Sequence, residues 1–214
     1  MALTMTQNKV LAEVFGPAEG TGRLVKQALL VVAGVILLAV AAKVKVSIMP
    51  VSPVAISLGT FAVLTVGAAY GARLGLVTIL AWMIVGALGF DVFQNSSAEA
   101  YGISYMMGTT GGYLVGYVLA VLALGLAARR GWDRSVIWMA VAMLIGNALI
   151  YVPGVLWLGV LIEGGMFQAD KFGSVTEQAL AWGLWPFLLG DAIKLALAAL
   201  LLPAVWKLVG NARA

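Results

Sequence analysis

Apolar runs about as long as a membrane crossing recur along the chain, with short polar interruptions between them. A helix needs about 20 apolar residues to cross the hydrocarbon of a bilayer. Stretches of that kind fall near 26–47, 56–72, 74–89, 110–128, 135–158 and 184–206. The pattern predicts an all-α integral membrane protein, a bundle of six transmembrane helices. The second and third runs are short and are parted only by Arg73, which predicts a tight helical hairpin. Residues 1–23 read as a polar cytoplasmic leader, 24–209 as the membrane domain and 210–214 as a short tail.

Composition strengthens this picture and removes several chemistries. Of the residues, 63% are hydrophobic and 10% are charged, so lipid is the solvent for most of the surface. The chain has no Cys and no His, which leaves out disulfides, thiol nucleophiles, imidazole bases and the usual zinc sites. Ser104, in Gly102-Ile103-Ser104-Tyr105, has no such base to activate it and reads as a loop serine. No glycine-rich loop ends in Gly-Lys-Ser/Thr, so no nucleotide site is expected. The net charge of +4 comes from single basic residues between apolar runs rather than from a stripe, so nucleic acid is not an expected partner. These features predict a protein that is not an enzyme and carries no cofactor.

The basic residues also give an orientation. Lys9, Arg23, Lys26, Arg73, Arg129, Arg130, Arg134, Lys207 and Arg213 fall on one side of the predicted spans, and Lys43, Lys45 and Lys171 on the other. An excess of Lys and Arg marks the cytoplasmic side, so both termini are expected inside the cell. Most of the proline and the polar loop residues then lie outside, in Pro50 to Pro53, Asp91 to Gly108, and Glu163 to Pro186. Irregular backbone at a membrane edge persists where it is packed in protein or lines a wet cavity, so an outward-facing pocket is expected.

Three groups of residues carry candidate chemistry. In Gly190-Asp191-Ala192-Ile193-Lys194, a carboxylate and an ammonium three apart share one face of an apolar helix. Each costs about 2.5–3.5 kcal/mol in the bilayer, so both should face the bundle, either as a packing ion pair or as ligand-binding groups. Asn147 and Tyr151 are four apart on the fifth span, and Pro153-Gly154 should break the helix just beyond them. There an amide and a phenol would complement a neutral hydrogen-bonding ligand, or Asn147 would tie two helices together. Gly108-Thr109-Thr110-Gly111-Gly112-Tyr113 opens the fourth span; it offers free N–H groups to an anion or permits close packing through the Gly112/Gly116 step. The seven Trp residues read as interfacial or packing aromatics.

Taken together, the motifs resemble the biotin-specific S component (BioY family) of energy-coupling-factor transporters, over nearly the whole chain. The resemblance is carried by Pro53-Val54-Ala55-Ile56-Ser57-Leu58-Gly59-Thr60, Phe90-Asp91-Val92-Phe93, Gly108 to Tyr113, Tyr151-Val152-Pro153-Gly154, and Pro186-Phe187-Leu188-Leu189-Gly190-Asp191-Ala192-Ile193-Lys194. It implies a bundle in the bacterial inner membrane that captures biotin or a similar vitamin from outside and passes it inward with a transmembrane partner and ATPase subunits. Under it Asp191, Lys194, Tyr151, Asn147, Tyr113, Ser57, Phe93 and Asn95 are the ligand-binding residues. The pattern departs from the family at Ala55, Asp91 and Thr109, where the family has Pro, at Ser57 in place of Thr, and at Gly59 in place of Gln or His. All five positions lie in segments expected outside. They leave open a changed ligand, or a bundle that has lost its ligand and serves as an accessory subunit of a larger membrane complex.

Overall fold

In a computed structural model of the chain, described for residues 9–46, 56–97, 100–166 and 172–211, the apolar runs fold into long helices joined by short connections. In chain order these are α1 (Leu11–Val14), α2 (Gly20–Lys43), α3 (Gly59–Ala87), α4 (Gly102–Met106), α5 (Gly111–Arg129), α6 (Val136–Glu163), α7 (Val175–Gly183) and α8 (Trp185–Asn211). A 3-10 turn spans Trp132–Arg134. A two-stranded antiparallel ribbon, β1 (Lys45–Val46) with β2 (Ile56–Ser57), sets Lys45 opposite Ser57. Pro50 to Ala55, Lys171 and Arg213 lie outside the described residues.

Among the described residues five stretches are long and apolar enough to cross a membrane: α2, α3, α5, α6, and Val175–Gly210 across α7 and α8. The difference from six lies in α3. Its 29 residues would run about 44 Å if straight, at 1.5 Å per residue. Gly71, with φ 75° and ψ 170°, turns the chain back on itself, a left-handed conformation that glycine adopts without a Cβ penalty. A Cβ on Gly75 would stand 3.5 Å from the Cα of Gly67, so the two arms lie side by side. The expected hairpin is therefore present, with its reversal at Gly71 rather than Arg73.

Other expectations need correcting. The first span ends at Lys43, where Val44 turns extended and leads into the ribbon. Pro153-Gly154 does not end the fifth span: α6 continues through Pro153 to Glu163, and Gly154 lets the Tyr113 ring lie against its backbone. The segment after Glu163, expected to be an outer loop, contains α7, whose N-terminus is capped by Ser174 Oγ accepting from Glu177 N at 3.1 Å.

Between apolar helices in lipid the hydrophobic effect supplies little, so close backbone approach and dispersion hold the bundle together. Helix α5 is the centre of it, packed on α3 along one side and on α6 along the other. Its glycines make this approach possible. A Cβ on Gly112 would stand 2.3 Å from Pro153 O, one on Gly116 2.6 Å from Ile150 Cα, and one on Gly125 2.1 Å from Ala72 N. The glycines opening α5 thus serve packing. Ala68 is fully buried in the core of the bundle.

The described part of the leader is fastened to the end of the bundle where Gly71 turns. Val10 is fully buried and would touch a Cβ on Gly71; Glu13 pairs with Arg129 at 2.6 Å; Arg134 donates to Lys9 O at 3.2 Å. At this end Asp133 is fully buried and accepts from Trp206 Nε1, while the Arg134 guanidinium lies 4.3 Å above the Trp206 ring. Burial raises the Asp133 carboxyl to about 6, against the opposing pull of Trp206 and Arg134. A carboxyl whose pKa is raised on folding binds its proton more tightly when folded. Stability therefore falls as pH rises from its ordinary value near 3.8 through about 6, and the cost of the buried anion persists above that. Asp133→Asn keeps an acceptor for Trp206 and removes the anion. Its thermal midpoint in detergent is expected to exceed that of the parent near pH 8 and to lose the parent's decline between about pH 4 and pH 6. A parallel decline in both proteins would contradict this account.

Candidate ligand-binding site

At the opposite end from Gly71, the helices part around a cavity of about 390 Å³. Its volume is in the range of about 300–1,000 Å³ usual for small-molecule pockets. The floor is polar. Lys194 Nζ donates to Asp191 Oδ1 at 2.8 Å and to Thr60 Oγ1 at 2.9 Å; Thr60 Oγ1 lies 3.1 Å from the same carboxylate oxygen, and the Tyr151 hydroxyl donates to Asp191 Oδ2. Asp191 is 4% exposed and Lys194 8%. Three elements meet here: α8 supplies the ion pair, α6 the phenol, and the first turn of α3 the threonine.

A charged pair this deep is held because every strong bond is charge-assisted and the two charges cancel. The bonds within the floor use two of the three ammonium donors, which leaves one for a ligand, and Asp191 retains acceptor capacity. The floor therefore offers a donor beside an acceptor. Such a pair complements a group that itself presents a C=O next to an N–H, as an amide or a cyclic urea does.

The walls are aromatic. Phe93 stacks on Tyr105 with centroids 4.9 Å apart and planes at 9°, and Trp82 meets Phe93 edge-on, also at 4.9 Å. Phe93 lies in the space left by Gly86, where a Cβ would stand 2.1 Å from its ring. Burial raises the Tyr105 phenol above its ordinary value, so it lines the cavity as a neutral ring. Tyr113 meets Tyr151 edge-on at 6.2 Å, and its hydroxyl donates to Gly183 O at 2.8 Å, tying the end of α7 to α5. Trp182 of α7 lies on the rim.

At the mouth, Lys43 pairs with Asp91 and also reaches Ser96 O and Oγ at 3.3 Å; Lys45 Nζ donates to Asn95 Oδ1 at 2.8 Å. Hydrogen bonds from Lys43 and Ser96 hold the Asp91 carboxyl below the usual carboxylate range. The negative charge that Asp91 adds to the mouth is thus neutralised by Lys43.

Of the eight residues singled out in the sequence, Asp191, Lys194, Tyr151, Tyr113, Ser57, Phe93 and Asn95 line this cavity. Asn147 does not. It lies one helical turn, about 5.4 Å, before Tyr151, and its buried Oδ1 has no hydrogen-bond partner among the described residues. Gly59 lies in the wall, where a Cβ would meet Ser57 Oγ at 3.5 Å and Ala42 Cα at 3.7 Å, ordinary contacts. Thr60, Trp82, Tyr105 and Tyr117 line the cavity although the sequence did not single them out. Tyr117 follows Tyr113 by four residues and so shares its face, a signal that was available. Trp82 and Trp182 also border the cavity, Trp82 while packed in the core against Phe93. Trp82 reached the wall only because the chain reverses at Gly71, which the sequence pattern does not aim.

Comparison with known proteins gives one consistent result. The model of the BioY family matches residues 6–211. A probable biotin transporter BioY of Pyrococcus horikoshii is 32% identical over 176 residues, covering 82% of this chain and 93% of the relative. The biotin transporter BioY of Thermotoga maritima is 30% identical over 152 residues, 71% and 80% of the two chains. Among solved structures, the S-component for biotin from an ECF-type ABC transporter superposes with a TM-score of 0.64 at 17% identity, covering 89% of this chain and 95% of that one.

Proposed function

Because the chain belongs to the BioY family, we propose that it is the substrate-binding membrane subunit of a biotin-type ECF transporter, a multi-pass protein of the bacterial inner membrane that takes its ligand from outside. The observation that carries this reading is the buried Asp191/Lys194/Thr60/Tyr151 floor beneath aromatic walls. A fused-ring cyclic urea presents to the floor the C=O and N–H it complements, and the rings of Trp82, Phe93 and Tyr105 cover the apolar remainder. Dissociation inward requires a change of the bundle, and the sequence has no Gly-Lys-Ser/Thr loop through which ATP would drive it. Association with a transmembrane partner and ATPase subunits supplies that work.

The test is titration of the detergent-purified chain with biotin, dethiobiotin and lipoate, read by calorimetry and native mass spectrometry. One biotin per chain is expected. Dethiobiotin, which keeps the urea, should bind more weakly, and lipoate, which lacks it, should not compete. Absence of saturable binding by all three would refute the reading, and capture of a complex without ATPase subunits from native membranes would favour an accessory role.

The finer topology belongs to the same reading: six crossings, with both termini and the Gly71 turn inside. A Cys placed at Ser97 or Thr176, both exposed at the cavity end, should react with an impermeant thiol reagent applied outside intact cells. A Cys at Arg73 or Gly210 should react only after permeabilisation. Labelling of the Arg73 site from outside would leave α3 as a hairpin that does not cross.

A further inference from the structure

We infer that Lys45 is the anion-recognising residue of this site: it holds an ionised carboxylate at the ligand's tail at the mouth, while the floor holds the neutral head. The inference rests on the biotin-type reading and names a residue that determines specificity within it.

Among the described residues the floor holds one cation and one anion, Lys194 and Asp191, bonded to each other. A ligand carboxylate placed there would compete with Asp191 for the ammonium and lie beside a second negative charge. At the mouth Lys43 is already held by Asp91 and by both oxygens of Ser96. Among the described residues Lys45 is the one remaining cation beside the cavity, and it donates to the neutral amide oxygen of Asn95, a lining residue. The described charges therefore leave an excess of one positive charge, located at the mouth.

The ribbon places this charge on the correct side. Lys45 and Ser57 are directly opposite in β1 and β2, and opposed residues in an antiparallel pair project from the same face. Ser57 is buried and lines the cavity, so Lys45 projects from the cavity-facing side of the ribbon, and its bond to Asn95 sets its ammonium beside the rim. A carboxylate there would replace a neutral acceptor by a charged one, a bond roughly twice as strong. The same unpaired charge raises the local concentration of anionic ligand before docking. The ligand class is thus a neutral hydrogen-bonding ring on an apolar chain that ends in an anion, bound head inward.

Biotin and its neutral primary amide, biotinamide, separate the two ends of the molecule in a calorimetric titration of the full chain. The parent should prefer biotin by about tenfold, equivalent to about 1.4 kcal/mol. Lys45→Gln should bring biotin down to the level of the amide and leave the amide unchanged, and Lys45→Arg should restore the preference. Raising salt from 50 mM to 500 mM should narrow the preference in the parent itself, a measurement that needs no variant. A preference that survives both Lys45→Gln and high salt, or a loss that falls equally on the two ligands, would overturn the assignment and leave the biotin reading standing. Binding of neither ligand by the parent would overturn both.

Discussion

Lys194→Met is expected to weaken biotin binding by about thirtyfold or more, about 2 kcal/mol, while the protein still purifies as a monodisperse bundle. Lys194 supplies the floor with its cation, two of the donors that fix Asp191 and Thr60, and the spare donor for a ligand carbonyl. Without it Asp191 keeps the Tyr151 and Thr60 contacts but is a buried carboxylate with no counter-charge. A buried charge left without its partner is strongly destabilising, so the floor loses its fixed arrangement along with the spare donor. Lys194→Arg sharpens the test. The guanidinium keeps the charge, but its flat, wider head does not occupy the compact position 2.8 Å from Asp191 and 2.9 Å from Thr60. The arginine variant should therefore fold and bind poorly. Unchanged affinity in that variant, with the methionine variant losing only thermal stability, would reduce the pair to a packing element.

The largest effect on stability is expected from Gly125→Val. Its Cβ would lie 2.1 Å from Ala72 N and 2.5 Å from both Ala72 Cα and the carbonyl carbon of Gly71. Those are backbone atoms at the reversal of α3, so no side chain can rotate to make room. Either α5 moves away from α3 along the central contact of the bundle, or the reversal itself shifts. Overpacking of this kind costs about 1–3 kcal/mol in ordinary cores, and here the upper end or beyond is expected because backbone meets backbone. A marked drop of the thermal midpoint in detergent is the readout. Gly210→Ala, where a Cβ meets nothing within 4 Å, is the matched control and should leave the midpoint unchanged. Equal behaviour of the two variants would mean that the α3–α5 contact does not limit stability.

Both expectations depend on features that differ in how far the sequence discloses them. That the chain folds into long apolar helices follows from its apolar runs, because a bilayer imposes a fixed thickness and demands that each backbone group bond within its own segment. The Asp191/Lys194 pair was legible for the same reason: two ionisable groups three apart in an apolar helix must face inward and find partners, and they do. The basic residues near Gly71 and the lysines near the cavity also sort to opposite ends of the bundle as their positions between the runs require.

Sequence spacing alone did not fix which helices meet, and there the tertiary structure decided. Whether Pro153 breaks a helix depends on what packs over it; with Tyr113 against Gly154 and Pro153 O above Gly112, the helix continues. Whether a glycine pair docks a partner, binds an anion or packs a neighbour depends on what stands 2–3 Å away, which for Gly112, Gly116 and Gly125 is the backbone of an adjacent helix. Asn147 shares a helical face with Tyr151, yet one turn of helix takes it off the floor of the cavity, since periodicity gives direction around an axis and not depth along it. Thr60, Trp82 and Lys45 gained their positions from the Gly71 reversal and from the register of a two-residue ribbon, long-range events that no local pattern encodes. The chain's own sequence thus determined that it lies in a membrane and where its buried charges face, because those are local requirements of solvation. Its cavity, the partners of those charges and the spare cation at the mouth were decided by packing between segments far apart in the chain.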